Sequence, residues 1–235
     1  TEFTLNGVNC SGNGQSSSQS STPADSGGSS SSSSAPATET AAHWLLEAEK
    51  SSFHFVTVKN IDNAESHTFT QLQGTVSAAG NATLTIPLAT VSTGFAIRNT
   101  RMQNLLFESG YLPNLHFTTQ LDLAAIDAMP VGGISQQTLS GNLILHAINK
   151  PISFEVTLIK HSNSSVSFSP RRPIVINSVD FELNAGVEAL RLAASLSSIG
   201  EKTPIYFKMF LTRDNPTGIA AISLPVAPEA PVGLT

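Results

Sequence analysis

The chain has 235 residues, with 12 basic and 17 acidic side chains, six histidines and a formal net charge of −5. Charged residues make up 12% of it, about half the ~25% usual for a globular domain, so it lacks the basic surface that neutralises nucleic-acid phosphates or coats an anionic bilayer. No apolar run is long enough for a transmembrane helix, and the single cysteine, Cys10, excludes an internal disulfide and a thiolate metal cluster.

The charge is unevenly placed along the chain. The first basic residue is Lys50, so residues 1–49 carry five acids (Glu2, Asp25, Glu39, Glu47 and Glu49) and no cation, which leaves residues 50–235 with 12 basic and 12 acidic groups. Residues 11–34 contain 13 serines, six of them consecutive at Ser29–Ser34. Such a segment cannot bury enough surface to offset about 1–2 kcal/mol per residue of backbone ordering. Residues 1–40 therefore read as a disordered Ser-rich tether, with a cloning scar at 1–5. At the other end Pro216, Pro225, Pro228 and Pro231 mark 214–235 as a Pro-rich tail. Residues 41–213 remain as one folded domain.

Within that domain apolar residues recur with a period of two. Strands are expected over 53–58, over 68–76, and around Leu84, Ile86 and Leu88, which alternate with Thr83, Thr85 and Pro87. Residues 100–108 break the period: Met102, Leu105 and Leu106 have helical spacing, with Asn99 or Thr100 as N-cap. Alternation resumes at Leu115, Phe117, Leu121 and Leu123, then over 139–147, then at Ile152, Phe154, Val156 and Leu158. Residues 185–198 again read as a helix, through Val187, Leu190, Ala194 and Leu196, with Gly200 as its stop. Ile205, Phe207, Met209 and Leu211 form the last strand, where Tyr206 and Phe210 make the other face apolar too. Gly80-Asn81, Gly132-Gly133, Asn149-Lys150-Pro151 and Asn163-Ser164 supply turns. This is an all-β, antiparallel pattern with one apolar face, closed into a barrel or paired as a sandwich.

The aromatic residues comprise 12 Phe, two Tyr and one Trp. Phe has no polar handle and suits a dry interior, whereas Tyr and Trp suit wet binding surfaces. Alternation does not distinguish a packed interior from a cavity for one apolar ligand. The inward set would be Phe53, Phe55, Leu84, Ile86, Leu115, Phe117, Leu143, Leu145, Phe154, Val156, Leu158, Phe207 and Met209, with Met102, Leu105 and Phe107 capping one end.

Several blocks resemble the YceI-like family of bacterial polyisoprenoid-binding proteins. His43-Trp44-Leu45-Leu46 followed by residues 51–60 is similar to the family's opening. Residues 82–88, Val91-Ser92-Thr93, residues 97–102, Leu106-Phe107-Glu108 and Pro113 resemble its next strand, turn and helix. Ser140-Gly141-Asn142-Leu143 with Lys150-Pro151-Ile152 resembles its hairpin, and Phe181-Glu182-Leu183, Gly186-Val187-Glu188 and Leu190 resemble a late segment. The resemblance runs in order through residues 43–213. It implies a lipocalin-like up-and-down antiparallel β-barrel with one or two short helices near the mouth. The interior would hold a long isoprenoid lipid, of the ubiquinone or polyprenyl phosphate type, for transport, storage or sensing. Arg98 and Arg101, in the family-like helix, would then reach a pyrophosphate or quinone oxygen.

Other chemistry is poorly supported. His43, His54, His67, His116, His146 and His161 show no metal-ligand spacing, and no G-x-S-x-G or phosphate-cradling glycine loop is present. No catalysis, catalytic cofactor, metal or nucleic-acid partner is therefore expected. Arg171-Arg172, between Pro170 and Pro173, reads as an exposed turn. Cys10, followed by Ser11, Gly12 and the serine-rich arm, resembles the acylated start of a bacterial lipoprotein, against the plainer reading of an incidental thiol. The location expected is periplasmic or extracellular, with the arm tethering the barrel to a membrane or a partner module, and a homodimer left open. The rival reading is a carbohydrate-binding or structural module of a secreted multi-domain protein, which one Trp and two Tyr serve thinly.

Overall fold

The computed structural model describes residues 42–213. Cys10, the serine-rich arm and the proline-rich tail lie outside the described residues.

The strands are β1 (Ala42–Leu46), β2 (Ser52–Lys59), β3 (Asn63–Phe69), β4 (Gln73–Ser77), β5 (Asn81–Pro87), β6 (Val91–Ser92), β7 (Asn114–Gln120), β8 (Ile134–Leu145), β9 (Ile148–Ser162), β10 (Ser165–Pro170), β11 (Ile174–Asn177) and β12 (Lys202–Arg213). Several are halves of longer strands. A short 3₁₀ turn at Ala48–Lys50 divides β1 from β2, residues 70–72 divide β3 from β4, and the Pro170–Pro173 stretch divides β10 from β11. Every pairing is antiparallel, and each long strand lies beside its sequence neighbour. The sheet closes because β12 pairs with β10 (Phe168↔Met209) and also with β1 (Trp44↔Arg213). The result is an eight-stranded up-and-down barrel, which removes the exposed edges that an open sheet would leave for aggregation. Alternation in β12 is the expected one: Ile205, Phe207, Met209 and Leu211 face inward while Tyr206 and Lys208 are exposed.

The floor of the barrel is filled. Trp44, Val76, Leu121, Ile126, Leu139, Val156, Leu158 and Val166 are buried there as one cluster. Helix α2 (Leu123–Ala128) closes this end, capped by Asp122, whose Oδ1 accepts from the Ala125 N–H at 2.9 Å. The strand expected to run through Leu121 and Leu123 therefore stops at Gln120; an N-capping Asp overrides the period-two pattern. Lys160, only 3% exposed, donates from Nζ to the carbonyls of Ile126 (3.2 Å), Asp127 (2.9 Å) and Met129 (2.9 Å). Those oxygens include the unpaired carbonyls at the end of α2, where a cation is favoured.

The mouth is framed by two insertions. Helix α1 (Ala96–Arg101) runs directly into a π-helical turn (Met102–Leu106), and α3 (Asn184–Ala193) packs on that turn. The first helix begins earlier than the sequence suggests. Asn99 is not its cap: its Oδ1 accepts from the Thr93 N–H (2.8 Å) and hydroxyl (2.7 Å), which pins the preceding turn instead. The π turn, with Phe107 N–H donating to the Met102 carbonyl at 2.9 Å, shifts the helical phase so that Leu106 faces inward and Leu105 is 38% exposed. Gly186 permits the close approach of α3, since a Cβ there would lie 2.5 Å from the Leu105 carbonyl oxygen. Helix α3 ends at Ala193, well before Gly200, because Ser195 takes a positive φ of 52° and the Leu196 N–H closes back on the Arg191 carbonyl at 3.0 Å. The β8–β9 turn is His146-Ala147, both at positive φ, not the Asn149–Pro151 turn expected. Pro151 instead lies inside β9, where β10 has not yet begun to pair and the strand has a neighbour on one side only. No helix among the described residues is long and apolar enough to cross a membrane.

Candidate functional site

The interior above the floor is hollow. A cavity of about 330 Å³ opens at the mouth and a second of about 120 Å³ lies below it. Phe53, Leu115, Ile176 and Ile205 belong to the walls of both. The lower cavity exists partly because Gly74 and Ala82 face it where bulkier side chains would fill it.

The inward side chains change in character with height. Along β2 they read Phe53, Phe55, Thr57 and Lys59; along β3, ascending, Phe69, His67 and Glu65. Aromatic rings give way to hydroxyl and imidazole, then to charge. At the rim Lys59 Nζ donates to Glu65 Oε1 at 2.9 Å, and Arg98 pairs with the other oxygen of Glu65. Arg98 Nη2 also donates to the Thr93 carbonyl at 2.8 Å, and its guanidinium lies 4.8 Å from the centre of the Phe95 ring. The Lys59 hydrogen bond, aided by the Arg98 charge against some burial, holds the Glu65 carboxyl below the usual carboxylate range. His67 is 4% exposed and its Nε2 shares a hydrogen bond of 2.9 Å with the Thr57 hydroxyl. Burial, reinforced by the Arg98 charge, pushes its pKa below the ordinary imidazole value, so the ring is neutral at pH 7.

Three buried polar atoms on residues lining the mouth cavity have no hydrogen-bond partner: His67 Nδ1, Arg98 Nε and Ser178 Oγ. Each such atom costs about 1–3 kcal/mol unless something else satisfies it. Arg101 lines the same cavity and makes no ion pair among the described residues. A greasy chamber with a few hydrogen-bonding groups near its opening suits a molecule with a long apolar tail and one polar end.

The residues expected from the sequence distribute as follows. Phe53 and Leu115 line both cavities. Phe55, Arg98, Arg101, Met102, Phe107 and Leu145 line the mouth cavity. Leu84, Phe117, Leu143, Phe154, Phe207 and Met209 line the lower one. Ile86, Val156 and Leu158 reach neither; all three are fully buried, Val156 and Leu158 in the floor plug and Ile86 in the mouth-side core. Leu105 points to solvent, for the phase reason given above. Sequence reasoning missed Thr57 and Lys59, although both continue the alternation of Phe53 and Phe55. It also missed His67, Glu65, Ser178, Leu183 just before α3, and the α3 residues Val187 and Leu190. Arg171 is an outer-surface residue, paired with Glu155 at 2.9 Å. Trp44 is 1% exposed, so the platform tryptophan that a carbohydrate module would need is buried. Among the described residues no group of histidine, cysteine or carboxylate side chains could hold a metal ion.

A closed antiparallel barrel with a sealed floor, a hollow apolar interior and a polar rim is a lipocalin-like, ligand-holding container. The family model for the YceI-like domain matches residues 44–211, and the chain belongs to that family. A solved polyisoprenoid binding domain from Saccharophagus degradans, implicated in plant cell wall breakdown, is 33% identical with a TM-score of 0.73. That likeness covers 74% of this chain and 99% of that one. Burkholderia cenocepacia BcnA, 18% identical with a TM-score of 0.55 over 70% of this chain and 98% of its own, shares the fold. No curated protein sequence matches.

Proposed function

We propose that the barrel binds a long isoprenoid lipid, non-enzymatically, with its chain in the two adjoining cavities and its polar end at the mouth. The observation that carries this reading is the pair of apolar chambers running from a polar rim toward a closed floor. The upper chamber alone is at the lower end of the ~300–1,000 Å³ usual for ligand pockets. Each methylene buried there is worth about 0.8 kcal/mol, so a long tail binds tightly with few polar contacts. The description of the Saccharophagus neighbour as polyisoprenoid-binding supports the same ligand class.

The head group would be a quinone or a polyprenyl phosphate. Arg98 is committed to Glu65 and Thr93 through its terminal nitrogens, so its main role is to hold α1 on the rim. Arg101, without an ion pair, is the residue placed to meet an anionic head, while His67 and Ser178 offer neutral hydrogen bonds to a carbonyl or hydroxyl. A role in transport, storage or sensing outside the cytoplasm, with the serine-rich arm as a tether to a membrane or partner module, accords with the composition of that arm and with the family.

The test is uptake of ubiquinone and of a polyprenyl phosphate by delipidated full chain, compared with Ile205→Trp, which fills the junction of the two cavities. The parent is expected to take up one of the two, and the variant to lose about tenfold or more in affinity without loss of folding stability. No uptake by the parent, or equal uptake by the variant, would count against the proposal.

A further inference from the structure

Four large apolar side chains face solvent around the mouth. Ile61, Phe95, Ile97 and Leu192 are 88, 62, 67 and 62% exposed, and they belong to the β2–β3 turn, α1 and α3. These segments are joined to one another. Asn60 N–H donates to the Ser198 carbonyl (3.0 Å), and Ser197 donates through both N–H and hydroxyl to Asn60 Oδ1 (2.9 Å each), which fastens the turn to the chain leaving α3. The Arg98–Glu65 ion pair fastens α1 to β3.

Two of these side chains occupy positions where the backbone suits a different residue. In the turn Asn60-Ile61-Asp62, Ile61 has φ of 78°. A β-branched side chain is crowded there, whereas glycine is not. Phe95 is the N-cap of α1 and makes no side-chain capping bond, where serine, threonine or aspartate would accept from a helix N–H. Ile61 gains almost no burial in return, and Phe95 keeps only one face under the Arg98 guanidinium. Strain and exposed apolar surface at two places around one opening indicate a use beyond the folding of the domain.

We propose that this rim docks on a lipid bilayer, with Ile61, Phe95 and Ile97 entering the acyl boundary, so that the isoprenoid chain passes between membrane and barrel without crossing water. This rests on the reading of the cavity as an isoprenoid site. The bilayer is favoured as occupant because the patch is continuous with the cavity mouth: α1 carries Ile97 outward and Arg98 and Arg101 on the cavity wall, and Leu196 and Ile199, flanking the serines that hold the turn, line the same cavity. The charges of the rim nearly cancel. Lys59 and Arg98 share Glu65, Arg191 pairs with Glu188, and Arg101 and Asp62, neither in an ion pair among the described residues, are of opposite sign, so these seven groups sum to a single net positive charge. Docking therefore proceeds chiefly by apolar insertion and needs no anionic lipid.

The experiment is co-sedimentation of the full chain with vesicles of zwitterionic phosphatidylcholine, for the parent, Ile61→Gly and Phe95→Ser. Uptake of ubiquinone and of a polyprenyl phosphate from detergent micelles is measured in parallel. The parent should partition onto vesicles equally at low and high salt, and each substitution should weaken partitioning by about tenfold or more. Micellar uptake should stay unchanged, and the urea midpoints should be equal or higher, since glycine relaxes the turn and serine caps the helix. Lowered midpoints would assign the two side chains a structural role and overturn the proposal. A parent that loads from micelles but ignores vesicles would overturn docking and leave the cavity reading intact. Vesicle binding with no uptake of either lipid would support docking and remove the cavity reading. A dimer that the same substitutions dissociate, with no vesicle binding, would overturn the proposal in favour of a second copy of the chain.

Discussion

At the floor of the barrel a buried ammonium meets three carbonyls, and the side chains above it pack to near-zero exposure. At the mouth three buried polar atoms lack partners, the helix changes to π geometry and an isoleucine sits at a glycine-like turn position. Both ends are made by the same strands, and along β12 Leu211, Met209, Phe207 and Ile205 pass from the floor plug to the wall of the mouth cavity within a single alternating face. The difference shows where each kind of constraint acts. The floor meets the requirements of folding: its buried ammonium is engaged with three carbonyls, and Arg213, stacked on Trp44, pairs with Asp127 and leaves only its Nε without a partner. The mouth leaves groups unsatisfied that a ligand with a polar end would satisfy.

The comparison breaks most visibly at Lys160. Lys160→Met keeps the stem but leaves the carbonyls of Ile126, Asp127 and Met129 without their donor. We expect a loss of about 2–3 kcal/mol in a urea unfolding series, with unchanged lipid uptake per folded molecule. If the variant were as stable as the parent, the floor would not depend on this contact.

Arg101→Ala probes the other end and should give the mirror result. Stability should stay within about 0.5 kcal/mol of the parent, because the side chain makes no ion pair. Affinity for a polyprenyl phosphate should fall by about tenfold, and affinity for ubiquinone should hardly change. Equal losses for both lipids would place the side chain against the tail instead of the head.

The smallest effect is in pH. The pKa of His67 is lowered in the folded state, so above about pH 6.5 the ring is neutral in both states and its contribution is complete. Below that value the unfolded chain takes up a proton that the folded chain resists, and stability declines as pH falls toward the folded pKa. Glu65, also lowered, adds its own loss only below its unfolded value of about 4.5, as pH falls through its folded pKa. Between pH 6.5 and about pH 5 the parent should therefore show a shallow downward slope that His67→Asn reduces, measured as urea midpoint against pH. An unchanged slope in the variant would remove His67 as its source.

The barrel was legible in the sequence because closure demands an inward apolar face on every strand, and residues such as Ile152, Phe154, Ile205 and Phe207 display it at period two. Depth along the axis was not legible. Alternation places Val156 and Phe154 on the same face but does not say that one is in the floor plug and the other on a cavity wall. Local chemistry that competes with alternation was also hidden. Leu121-Asp122-Leu123 keeps the strand pattern, yet Asp122 starts a helix, and His146-Ala147 turns without glycine or proline to mark it. The Arg98–Glu65 pair joins residues 33 apart in sequence, so nothing near Arg98 indicates that its charge is already engaged.

The central claim is that the hollow interior is a site for an isoprenoid lipid. The most direct measurement is organic extraction of the purified full chain, before and after incubation with ubiquinone and with a polyprenyl phosphate, followed by mass spectrometry. The account predicts an isoprenoid species in the extract, at no more than about one molecule per barrel given two adjoining cavities behind one mouth. An extract that stays free of isoprenoid under both conditions would contradict it.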